Sequence, residues 1–130
     1  MNKIKGFITD IQQSDSISII QVKSNNTNFY SIVLGNDLKL EVGKEVYLLF
    51  KETEVSIAKN FSGEISLKNR FLCKVNSLEQ GKLLTKVILE WDGIEIVSII
   101  TTSSAKRLNL KENDEVVAFV KTNEVSIMEL

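Results

Sequence analysis

The sequence predicts an all-β protein made of one small module used twice. One observation is the pattern: β-branched residues fall in short runs separated by polar turns, the signature of half-buried strands. The second is a repeat. Glu-Val-Ser-Ile stands at Glu54–Ile57 and again at Glu124–Ile127, each time three residues after a lysine (Lys51, Lys121) and behind an apolar run opening Glu-Val (Glu45-Val46, Glu115-Val116). The third is size. Half of 130 residues is close to the length at which a single core is marginal, so two halves should pack together.

The first copy reads as strands near Ile4–Ile11, Ser18–Lys23, Asn28–Leu34, Glu45–Lys51 and Glu54–Ala58, with turns at Ser14-Asp15 and Ser24-Asn25-Asn26. The second repeats that order near Phe71–Leu78, Leu83–Trp91, Glu95–Thr101, Glu115–Lys121 and Glu124–Met128. Its turns fall at Glu79-Gln80-Gly81 and at Asp92-Gly93, a dipeptide suited to a tight hairpin. Ser103–Asn109 has helical spacing (Ala105, Leu108) after a Thr/Ser cluster able to supply an N-cap. The domains expected are 1–60 and 66–130, joined by 61–65. The connecting stretch is too short for a flexible tether.

The copies align at +67 over Asn2–Ile11 and Ser31-Ile32, and at +70 from Leu38 onward. The first copy therefore lacks three residues between Val33 and Leu38. There the second copy has Thr101-Thr102-Ser103-Ser104, and the first has Leu34-Gly35-Asn36-Asp37.

Composition narrows the chemistry. Sixteen basic and 17 acidic residues leave a net charge of −1, which argues against a nucleic-acid partner. Histidine is absent, removing the commonest general base and transition-metal ligand. The single cysteine, Cys73, excludes an intramolecular disulfide and fits a reducing compartment. Met1–Gly6 has no leader-like apolar stretch, and no run approaches the roughly 18–20 residues of a membrane span. The expectation is a soluble cytoplasmic protein with no membrane partner. No catalytic triad, phosphate-binding glycine loop or metal motif is present, so no enzyme is expected.

Three features bear on ligands. Thr101–Ser104 sets hydroxyls and N–H groups at a helix start, which suits an anion, though plain capping explains the same residues. Lys51 and Lys121 each close a strand before Glu52-Thr53 or Thr122-Asn123; they read as shared anion ligands or as solvated turn charges. Ser66 and Lys68, two residues apart on an extended chain, point the same way and can converge on one ligand, or belong to an ordinary linker. Phe71, Trp91 and Phe119 read as packing rather than base-stacking residues, and Cys73 as a buried structural thiol.

These pieces occur in an order that resembles the Mop-type molybdate-binding domain of the TOBE group. The residues are Ser66-Leu67-Lys68-Asn69, then Ser98-Ile99-Ile100-Thr101-Thr102-Ser103-Ser104, then Leu108 to Val116, and finally Lys121 to Ile127. The likeness covers Ser66–Met128 and, more weakly, Asn2–Ala58. It implies two OB-like β-barrel domains in tandem, each with one short helix, packed together. It further implies a homo-oligomer, with a trimer favoured, binding molybdate or tungstate between domains or subunits for storage, homeostasis or sensing. The alternative is a non-catalytic regulatory module reporting molybdate level to a transporter or transcription regulator.

Carried over by position, the implied oxyanion ligands are Ser66, Lys68, Asn69, Thr101, Thr102, Ser104, Lys121 and Thr122, with Lys51 from the first copy. Lys68 replaces the family's usual arginine. It keeps the charge but loses the planar two-pronged donor. The first copy lacks the leading Ser-x-Lys and the Thr-x-x-Ser loop.

Overall fold

A computed structural model of the chain describes residues 1–35 and 39–130. The first copy supplies β1 (Asn2–Ser14), β2 (Ile17–Ser24), β3 (Thr27–Leu34), β4 (Glu45–Phe50) and β5 (Ser56–Lys59). The second supplies β6 (Asn69–Gln80), β7 (Leu84–Trp91), β8 (Ile94–Thr101), helix α1 (Thr102–Arg107), β9 (Glu115–Val120) and β10 (Ser126–Glu129). The predicted order of strands is the one observed. The final strand of each copy is shorter than its reading, because Glu52–Glu54 and Thr122–Glu124 form 3-10 turns. The helix starts one residue earlier than predicted and ends at Arg107, with Asn109 in the left-handed conformation that terminates helices. In the first copy, where a short helix was also expected after Leu34-Gly35-Asn36-Asp37, Leu34 ends β3, Gly35 is a bend and residues 39–41 are not helical; Asn36, Asp37 and Leu38 lie outside the described residues.

Local chemistry explains the strands. Along β1 and β6 alternate residues face inward (Asn2, Ile4, Gly6, Ile8; Asn69, Phe71, Cys73, Val75) while Lys3, Lys5, Arg70 and Lys74 face water. Both long strands carry a register shift at equivalent points, Ile8/Asp10 and Val75/Ser77, of the kind that bends a strand. The β2–β3 and β7–β8 hairpins turn through Asn25-Asn26 and Asp92-Gly93. All four residues have positive φ, as a tight two-residue turn requires.

The sheets do not follow the repeat boundary. Every pairing is antiparallel, but the strand orders are β10-β4-β1-β2-β3 and β5-β9-β6-β7-β8. Each copy gives its last strand to the other's sheet. Ser56–Lys59 pairs along β9, and Ser126–Glu129 pairs along β4. The segments 1–60 and 66–130 are repeat units of sequence, and each is completed by a strand of its neighbour. Glu-Val-Ser-Ile, the most visible repeat, leads into the strand that crosses over, its Ser-Ile forming the first two residues of β5 and β10.

The core is shared in the same way. Phe29 of β3 meets Phe71 of β6 and Trp91 of β7 edge to face, with centroids 5.4 and 5.3 Å apart. Phe119 is buried against Phe61 of the connector. All three aromatics read from sequence as packing residues are buried.

Polar contacts repeat across a pseudo-two-fold relation. Asn69 accepts from Tyr30 N–H (2.6 Å) and donates to Tyr30 C=O (2.8 Å), as Asn2 does with Val97 (both 2.8 Å). Ser31 Oγ donates to Val125 C=O (2.5 Å), and Ser98 Oγ to Val55 C=O (2.7 Å). Asn69 is fully buried. Asn69→Ala would strand two backbone groups of the other copy, so a loss of about 2–3 kcal/mol is expected in denaturant unfolding. A loss under half of that would mean that the amide contributes little to joining the copies.

Candidate functional site

The sequence-predicted residues fall into two places. The first is a corner where β6 begins and β9 ends. Asn69 pairs with Val120, so one step beyond the ladder Lys68 stands opposite Lys121. Both lysines are exposed, just outside the ladder. Among the described residues neither lysine has a carboxylate within 4 Å. The Lys68 ammonium instead lies over the Tyr30 ring of the first copy, 4.0 Å from its centroid. Thr122 follows Lys121 on the 3-10 turn and is half-buried, whereas Ser66 is exposed before β6. Asn69 spends its amide on Tyr30 and fixes the start of the strand that carries Lys68.

The second place is the start of α1. Thr101 Oγ1 caps the helix, accepting from Ser104 N–H (3.1 Å) and donating to Ser104 Oγ (2.9 Å). Thr102 is buried, donating to Gly81 C=O and sharing a hydrogen bond with Thr85, both at 2.8 Å. Among the described residues the Ser104 O–H has no acceptor. Ser104 lines a groove of about 510 Å³ with Arg107, Ile100 and Leu108 on one side and Lys59, Phe61 and Ser62 on the other. Lys59 is engaged: it pairs with Asp114 (3.0 Å) and donates to Asn109 C=O (2.8 Å), holding the Asp114 carboxyl below the usual range. Arg107 has no ion-pair partner among the described residues.

Among the described residues no hydrogen bond joins the corner to the groove. Lys51 lies at the pseudo-equivalent corner, where its 3-10 turn packs on β8, the strand leading to Thr101. Tyr30, Lys59 and Arg107 were not singled out in the sequence. Tyr30 aligns with Val97, and Lys59 with Glu129, so a residue-by-residue comparison of the copies would have flagged both as differences. Cys73 is buried in the core, and burial pushes its thiol up to about 12, leaving it unreactive at neutral pH. Among the described residues no cluster of side chains could hold a metal ion directly, and no helix is long and apolar enough to cross a membrane.

Two OB-like five-stranded units, interlocked by exchanged strands, define the class of the protein: a tandem of small β-barrel domains. The comparisons agree. The TOBE domain model matches residues 65–127. Molybdenum-pterin-binding protein 1 of Clostridium pasteurianum is 37% identical over 65 residues, covering 96% of that protein and 49% of this chain. The molybdenum transport protein ModE of Azotobacter vinelandii is 23% identical over 129 residues, 95% of this chain, and the chain spans about half (48%) of that relative's length. The solved structure of the cytoplasmic molybdate-binding protein ModG, with molybdate bound, has the same fold: TM-score 0.93 over 99% of this chain and 96% of that one, at 24% identity. The chain belongs to the TOBE-domain family of molybdenum-pterin-binding proteins, with the domain in tandem.

Proposed function

We propose that the protein binds molybdate, with tungstate as a near-equal ligand, and serves to store or buffer it in the cytoplasm rather than to catalyse a reaction. The observation that carries this is the Lys68–Lys121 pair. The two lysines end neighbouring strands, neither has a carboxylate within 4 Å among the described residues, and a tetrahedral dianion whose oxygens only accept hydrogen bonds suits such a donor set. Thr122 and Ser66 add hydroxyl donors at that corner; Thr101 and Thr102 hold the start of α1, and in the separate groove Ser104 and Arg107 offer donors.

Because corner and groove lie apart in one chain, joining them in a single site calls for a second copy, and we infer a homo-oligomer, a trimer in the family's manner. The likeness to a transport protein over nearly the whole chain favours a second use, reporting molybdate level to a transporter or regulator.

Hydrogen bonds to a charged group contribute roughly 1.5–3 kcal/mol each. A handful, less desolvation, gives micromolar binding or better, about −8 kcal/mol. Calorimetric titration is expected to show molybdate and tungstate binding at that level and sulfate and phosphate far more weakly. No heat with molybdate at high protein concentration would sink the proposal.

A further inference from the structure

The chain has two pseudo-equivalent corners, and they differ at two places: Met1 stands where the second copy has Lys68, and Glu52 where it has Thr122. Asn2 pairs with Phe50 as Asn69 pairs with Val120, so residue 1 stands opposite Lys51 as Lys68 stands opposite Lys121. Each lysine opens a 3-10 turn, and the next residue is Thr122 in the second copy but Glu52 in the first. Glu54 and Glu124 are common to both turns and distinguish nothing.

The Glu52 side chain is two-thirds covered and folds back across the strand ends. Its Oε1 lies 2.6 Å from the Met1 nitrogen. That contact, with help from the Glu52 backbone, holds its carboxyl below the usual range, so it is ionised at neutral pH. The first corner thus already contains an anion, set against the cations that face the equivalent space.

We propose that Glu52 is a built-in counter-ion that closes the first copy's corner to oxyanions. The inference rests on the oxyanion reading of the second corner. A carboxylate is acceptor-only, so it accepts from the Met1 nitrogen and offers an incoming oxyanion nothing except repulsion. Threonine at the same place leaves the cations unneutralised and adds a donor. The duplicated module therefore carries one open corner and one occupied by its own side chain.

Equilibrium dialysis against molybdate, counting molybdenum per chain, tests this on the full chain, with Glu52→Gln (same shape, no charge), Glu52→Thr and Thr122→Glu. Circular dichroism confirms that each variant is folded. Both Glu52 variants are expected to take up one more molybdate per chain than wild type. Thr122→Glu is expected to lose at least about tenfold in affinity, because a charge is set a few ångströms from the dianion. Unchanged counts in both Glu52 variants, or wild-type affinity in Thr122→Glu, overturn the proposal. Uptake by the Glu52 variants but not by wild type would uphold it while removing the reading of the second corner. No uptake by any of the four chains removes both.

Discussion

Truncation after Val125 is expected to destabilise the half of the molecule made from the start of the chain. The five residues removed contain β10, whose Ser126–Glu129 pairs with Val46–Leu49 of β4. Without it β4 becomes an edge strand with unpaired backbone groups. Ile127, packed against the core, no longer covers its neighbours. Val46 and Leu48 are fully buried in the intact chain. Losing several ladder hydrogen bonds at about 1 kcal/mol each, together with part of that cover, should cost on the order of 4 kcal/mol in denaturant unfolding. The location matters more than the magnitude. Hydrogen exchange should show protection lost first in β1 and β4, while β9, paired on its outer side by Ser56–Lys59, keeps its own. The exposed β4 edge should also make the truncated chain prone to self-association. Two independent, self-contained domains would behave oppositely, with β6 and β9 losing protection because the deleted residues belong to the second repeat.

That exchange is the part of the fold which sequence patterning did not reveal. The strands were legible because β-branched residues alternate with polar ones and because Asn25-Asn26 and Asp92-Gly93 are turn formers. The duplication was legible from Glu-Val-Ser-Ile and its lysines. Yet a duplicated strand fits its own sheet and its partner's equally well, since Ile57 and Ile127 present the same side chain to the same kind of ladder. The choice is made by the 3-10 turns at Glu52–Glu54 and Thr122–Glu124, and by Ser31 and Ser98 reaching across to Val125 and Val55. Those are contacts between residues far apart in sequence. The candidate site divides along the same line. Lys68 and Lys121 were legible because both sit at strand ends within a recognisable order of motifs. Tyr30 was hidden, because it reaches Lys68 only after Asn69 has bound its backbone. Thr101 and Thr102 were read as ligand donors, while their hydroxyls bond to Ser104, Gly81 and Thr85.

The largest loss of ligand binding is expected from the lysine pair. Lys121→Ala removes one charged donor and should weaken molybdate about 10–100-fold, the equivalent of one hydrogen bond to a charged group. Lys68→Ala should behave similarly and also release the Tyr30 ring. The double variant should bind no molybdate at millimolar concentration. Stability should separate the two. Without ligand, Lys121→Ala lowers the local positive charge and should unfold no earlier than wild type, whereas Lys68→Ala loses its contact with the Tyr30 ring and should unfold slightly earlier. In saturating molybdate both should unfold before wild type, because the bound anion stabilises the wild type and not the variants. Unfolding midpoints measured with and without molybdate, at low and high salt, test both halves of this. A structural role for Lys121, with no ligand involved, predicts instead a loss of stability that is indifferent to molybdate, and Lys121→Arg would then restore it without restoring binding.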